Sequence, residues 1–143
     1  LDLIERDLPE GEPLLLFTEY KATQALVHEA LEARFGKGCV GFINGDERLV
    51  VSSAAGTETA IVLSRDAAAE DFNAGRTRFL ISTEAGGEGI DLQERCAVLV
   101  HIDMPWNPMR LHQRVGRLNR YGQKRAVSVF LLRNPETVEA RIW

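Results

Sequence analysis

AVLVHIDMPWNPMRLHQRVGRLNRYGQKRAVSVFLL, residues 97–132, is the stretch whose reading decides the fold. It opens on one apolar run, AVLVHID (97–103), and closes on another, AVSVFLL (126–132). Between them lie a turn, MPWNP (104–108), and a segment that reads as a helix over 110–120, with Pro108 able to open it at its first position. Runs that are apolar throughout, without alternation, suit strands buried on both faces. Strand, helix, strand in that order gives two parallel strands joined by a crossover. The part RLHQRVGRLNRYGQKR (110–125) carries six of the seventeen Lys and Arg residues and no acid. On a helix, Gln113, Arg117 and Arg120 fall at i, i+4, i+7 on one stripe, and Leu111, Val115 and Leu118 on the roughly opposite one. Such a helix packs through Leu and Val and aims an amide and two guanidiniums outward. Gly116 lowers helix propensity by roughly 1 kcal/mol relative to Ala, which points to a close approach to the backbone there. The guanidinium fork suits phosphate oxygens, so the stripe reads as a phosphate or transition-state clamp. A solvated basic face with a packing glycine is the alternative.

The same alternation extends upstream. LLLFT (14–18) and RFLIS (78–82) are further continuous apolar runs, and CVGFI (39–43) is another strand, ended by Asn44-Gly45-Asp46. ATQALVHEALEARFG (22–36) reads as an amphipathic helix with Ala22, Leu26, Ala30 and Ala33 on one stripe and Gly36 as its stop. Residues 64–74 form a helix closed by Gly75, and Pro135 opens a last helix, TVEARIW. Residues 46–63 are apolar without a clear period and are expected to form a loop, with room for a short strand or turn. Strands alternating with helices define an α/β fold, a parallel sheet with helices on both faces. In such sheets ligands bind outside the carboxyl ends of the strands. Thr18 to Lys21, Thr83 to Asp91 and the loop into the Arg-rich helix all fall there.

The totals narrow the partners. The length fits one domain, with residues 1–13 as a lead-in and 14–143 as the domain. An opening Leu1 and an end inside a helix lead us to expect a piece of a larger protein. No apolar run approaches the length of a membrane span, and no membrane partner is expected. The net charge is −4, but outside 110–125 there are eleven basic residues against twenty-one acids. An anionic ligand is therefore met locally rather than by the whole surface. Cys39 and Cys96 read as small apolar residues in a reducing cytosol, so a cytoplasmic location is expected. His28, His101 and His112 have no partners at metal-ligand spacing, and no metal site is assigned.

TEAGGEGID (83–91) places three glycines among four residues directly after a strand, where backbone N–H groups can face an anion. Thr83 adds a hydroxyl, and Asp91 is an acceptor suited to a ribose hydroxyl. A glycine-rich turn without a ligand is the bland reading. The phosphate cradle G-x-x-x-x-G-K-[ST] occurs nowhere, and no D-E-x-H-like magnesium-holding segment follows a strand. The chain has the arginines and lacks both of those parts.

Together, TEAGGEGIDL and HQRVGRLNRYGQ resemble motifs V and VI of superfamily 2 helicases. DMPWNP narrows the likeness to Swi/Snf-type translocases, most closely the bacterial HepA-like ATPases associated with RNA polymerase. LLLFTEYKAT resembles motif IV, and the likeness covers about residues 14–143. It implies the C-terminal RecA-like lobe, a three-layer αβα sheet domain, of a two-lobed helicase or translocase. On that implication ATP sits between the lobes, with magnesium and the phosphate cradle on the N-terminal lobe. Arg117 and Arg120 are the arginine fingers, and Gln113 senses the nucleotide or the facing lobe. Gly87, Gly89 and Asp91 lie at the phosphate and ribose end of the same site. Thr18, Lys21, Asn44, Gly45 and Thr83 face the nucleic-acid backbone, DNA being favoured over RNA. Trp106 wedges the turn before the Arg-rich helix. Residues 46–63 match the family poorly, and Asn119 stands where related chains often carry an acid. The competing reading is a non-catalytic RecA-like module that binds nucleic acid or a protein.

Overall fold

The computed structural model describes residues 8–52, 56–83, 92, 95–103, 108–118 and 121–131. Its centre is a five-stranded parallel sheet in the order β2-β5-β1-β6-β7. The strands are β1 (Leu14–Phe17), β2 (Val40–Ile43), β5 (Phe79–Ser82), β6 (Val98–His101) and β7 (Ser128–Leu131). Every residue of β1, β2, β5 and β6 is buried, as the unbroken apolar runs require. β2 and β7 are the edge strands, and β7 is half exposed.

The two faces of β1 show how the layers form. Leu14 and Leu16 pack with Phe79, Ile81, Val98 and Val100 on one side, under Val27, Leu31 and Phe35 of α1 (Lys21–Phe35). Leu15 and Phe17 point the other way, with Leu80 and Leu99, and meet Ala68 and Phe72 of α2 (Arg65–Asn73). Val115 of α3 (Pro108–Gly116) and Leu118 just beyond it complete that side. The arrangement is a three-layer αβα domain. Gly36, at φ 112°, stops α1, and its N–H donates to Glu32 O at 2.9 Å. Ser64 caps α2 by accepting from Ala67 N at 3.1 Å.

Three sequence expectations are corrected. Residues 46–63 are not a loop. They hold an antiparallel hairpin, β3 (Arg48–Ser52) with β4 (Glu58–Val62), registered from Arg48↔Val62 to Ser52↔Glu58. Its alternation was hidden because its open face is apolar too. Leu49 is buried, whereas Val50 is exposed and Val62 is 77% exposed.

The stripe picked for α1 is the solvent face. Ala22, Ala30 and Ala33 are exposed and Leu26 is 67% exposed, while Gln24, His28 and Leu31 are buried. The buried set also repeats at helical spacing, but two of its members are polar, so a search for apolar residues passes over it.

The Arg-rich helix is shorter than expected. It ends at Gly116, and the next residues close a tight turn, with Arg117 N donating to Arg114 O and Leu118 N to Val115 O, both at 3.1 Å. Arg117 therefore lies in the turn that closes α3, one residue past its end. A Cβ at Gly116 would meet nothing within 4 Å, so no described residue makes the close approach inferred there.

Candidate functional site

The carboxyl ends of four parallel strands meet along one edge, and backbone hydrogen bonds carry the ladder one step beyond them. Thr83 N donates to Ile43 O at 3.0 Å, Thr18 N to Ser82 O at 3.2 Å, and Ile102 N to Phe17 O at 2.9 Å. Asn44, Thr83, Thr18 and Asp103 thus succeed one another in the order of the strands they follow. α1 and α3 begin from this same edge, at Lys21 and Pro108.

The centre of the edge is a buried polar network. Asp103 accepts from the Thr18 hydroxyl and from Glu19 N, the latter at 3.0 and 3.2 Å to its two oxygens. Arg114 reaches it from α3. Its guanidinium donates to Asp103 O at 2.7 Å, to Asp103 Oδ1 at 3.4 Å and to His101 Nδ1 at 3.1 Å. The same group lies 5.4 Å from the centre of the Phe17 ring. Arg114 is only 1% exposed. An arginine always donates, so His101 Nδ1 accepts and the neutral ring carries its proton on Nε2. Burial, reinforced by the Arg114 charge, pushes the imidazole down to about 4.

That shift makes stability depend on pH. Between the ordinary histidine value of 6.5 and about 4, the unfolded chain binds a proton that the folded ring refuses. Stability is therefore full above that window and falls as the pH drops through it, by on the order of 3 kcal/mol at most. His28, held low by its own burial, acts in the same direction. Urea midpoints measured on either side of the window should show the fall, and His101→Gln should reduce it. A midpoint that stays level across the window contradicts this assignment.

A second polar cluster holds the β2 end. Gln24 Nε2 donates to Ile43 O at 3.1 Å and to Ile81 O at 2.7 Å, and Asn44 Nδ2 donates to Gln24 Oε1 at 2.9 Å. Asn44 also ties the entry to β3, donating to Arg48 O at 3.0 Å and accepting from Arg48 N at 3.3 Å. Outside this cluster, Lys21 pairs with Asp46 at 2.5 Å, both side chains well exposed. The lysine ammonium holds the Asp46 carboxyl below its usual range.

Comparison with known proteins gives the family. The model for the helicase conserved C-terminal domain matches residues 2–122. The chain is a Swi/Snf-type helicase C-terminal lobe. It is 37% identical over 142 residues to the uncharacterized ATP-dependent helicase YqhH of Bacillus subtilis, covering 99% of this chain and 22% of that one. It is 38% identical over 132 residues to the RNA polymerase-associated protein RapA of Vibrio cholerae, covering 91% of this chain and 12% of that one. The chain thus spans less than a quarter of either relative. Among solved structures, the Sulfolobus solfataricus SWI2/SNF2 ATPase core in complex with dsDNA superposes with a TM-score of 0.70 at 26% identity, over 99% of this chain and 26% of that one. The C-terminal part of the Fun30 ATPase domain superposes with a TM-score of 0.72 at 18% identity, over 98% and 39%, and so shares the fold.

Within the lobe, the residues singled out from sequence fall into three groups. Gln113 is exposed on α3, and Arg117 is half-buried in the turn after it. Thr18, Lys21, Asn44, Gly45 and Thr83 do share one edge, but Thr18 and Asn44 are buried with their polar groups turned onto Asp103, Gln24 and Arg48. Gly87, Gly89, Asp91, Trp106, Asn119 and Arg120 lie outside the described residues. Sequence reasoning missed Asp103, Arg114 and Gln24. Arg114 could have been found: 114 and 115 stand one helical turn before 118 on one face, with arginine at one position.

Proposed function

We propose that the lobe is the second half of an ATP-dependent nucleic-acid translocase or helicase, working in the cytoplasm against an N-terminal lobe of the same protein. The observation that carries this reading is the common edge. It brings the start of α3 and the loops after β1, β2 and β5 to one end of the sheet, and α3 runs back along the sheet from there to the Arg117 turn, where Gln123 joins Leu118 O to Cys96 O. In this reading Arg117 and Arg120 place positive charge on the γ-phosphate of ATP held by the facing lobe, and Gln113 senses that lobe. Gly87, Gly89 and Asp91 line the phosphate and ribose end. Lys21, Gly45 and Thr83 meet the nucleic-acid backbone, with Thr18 and Asn44 bracing their loops. Lys21 suits the task, because an exposed pair is weak and can exchange Asp46 for a phosphate.

Phosphoryl transfer needs charge stabilisation and positioning more than covalent help. With the fingers on one lobe and the phosphates on the other, turnover requires the lobes to close. Closure can then be geared to movement along a strand. The carboxylates described at the edge do not fit a magnesium site. Asp103 is engaged by Thr18, Glu19 and Arg114, and Asp46 is taken up by Lys21. No step is assigned to the metal on this lobe; in this reading the other lobe holds it.

The test is ATP turnover by the protein that joins this lobe to its partner lobe, with duplex DNA, with RNA and with neither. Stimulation by nucleic acid, stronger with DNA, is expected. Turnover indifferent to both polymers would remove the basis for the motor assignment.

A further inference from the structure

We propose that Arg114 is a positioning residue, coupling the loop after β1 to the turn that carries Arg117. The inference rests on the motor reading above and adds the route by which a nucleic-acid contact reaches the fingers. The route is continuous on named atoms. The Thr18 hydroxyl and Glu19 N–H donate to the Asp103 carboxylate, Asp103 accepts from the Arg114 guanidinium, and the Arg114 carbonyl accepts from Arg117 N–H at 3.1 Å. The end of β1, far away in sequence, is thereby held as one piece with the end of β6 and the end of α3.

A second tie runs alongside. Glu19 pairs with Arg110 of α3 at 3.1 Å, but the Arg110 side chain is 53% exposed. An ion pair so open to water contributes little. The buried tie is the stiffer one. Burying a guanidinium is costly, and an apolar side chain of the same volume would pack α3 against Phe17 at least as well. What an apolar side chain cannot do is grip Asp103 O, Asp103 Oδ1 and His101 Nδ1 at once. That grip fixes the angle between the loop and the turn, and so the reach of Arg117.

The experiment compares Arg114→Lys and Asp103→Asn with wild type in the joined two-lobe protein. The lysine keeps the charge and loses the fork; the asparagine keeps the shape and loses the carboxylate. At saturating DNA, kcat should fall by about ten-fold or more, since a displacement of order 1 Å at a reacting group costs up to about 10². The KM for ATP and the Kd for DNA should stay within about three-fold, because no contact to either is removed. A merely structural role would lower the melting temperature without this split. Unchanged kcat in either folded variant overturns the proposal, and so does a loss confined to KM or Kd. Failure of both variants to fold would make Arg114 a determinant of the fold and overturn it equally. Wild-type turnover in Arg117→Ala would instead sink the motor reading itself. Loss in Arg117→Ala beside normal kcat in the Arg114 and Asp103 variants would sink only the coupling.

Discussion

Arg117→Ala, in the protein that joins this lobe to its N-terminal partner, is expected to lower DNA-stimulated ATP turnover by about 10³ or more. Arginine fingers contribute about 10³–10⁵ in rate, or roughly 4–7 kcal/mol of transition-state stabilisation. The loss should appear in kcat, since the guanidinium meets charge that develops as the phosphoryl group leaves. The fold should survive. Arg117 follows the last residue of α3 and is half-buried, and the neighbouring anchor is Leu118, which is fully buried in the core. A melting temperature close to wild type would show that the anchor holds. Arg120→Ala is expected to behave alike. Near-normal turnover in a folded Arg117→Ala protein would remove the finger assignment.

Gln24→Leu is the substitution expected to cost most in stability among those that touch the site, about 2–4 kcal/mol. The side chain is fully buried, and it serves the carbonyls of Ile43 and Ile81 and the amide of Asn44. Leucine would fit the space and strand those groups. The cost stays below the sum of three orphaned groups, because Ile43 O keeps the bond from Thr83 N and Asn44 keeps Arg48 O. A shift of the urea midpoint at constant slope would measure it. A change under about 1 kcal/mol would mean the cluster relaxes or takes up water.

Sequence reading found the sheet because burial on both faces leaves an unmistakable trace. LLLF, VGFI, FLIS and VLVH contain hardly a polar atom outside the main chain. It failed where the interior is polar. Gln24, His28 and Arg114 occupy core positions of their helices, and a search for apolar stripes passes over them. In α1 this inverted the helix: the stripe of Ala22, Leu26, Ala30 and Ala33 was expected inside, and Gln24, His28 and Leu31 are found there instead. The hairpin failed for the opposite reason, since its outward residues Val50, Ala60 and Val62 are as apolar as its inward ones. The length of α3 was overestimated because periodicity continues through RLHQRVGRLNR, while the turn at Arg117 is set by hydrogen bonds three residues back. The motif residues were legible as chemistry. Their supports, Asp103 and Arg114, were not, because a lone acid after a strand and one arginine among several carry no pattern until the fold brings them together.

The β3–β4 hairpin has a wider consequence. Among the described residues it shares no backbone pairing with the parallel sheet and leans on α1 and on the Asn44 turn, so no parallel strand pair depends on the length of its strands. Selection can therefore rewrite the part of this appendage beyond Leu49 and the Asn44–Arg48 tie at small cost to the sheet. Between otherwise similar motors, it is the natural address for lineage-specific additions, and for an experimenter's graft between Ser52 and Gly56.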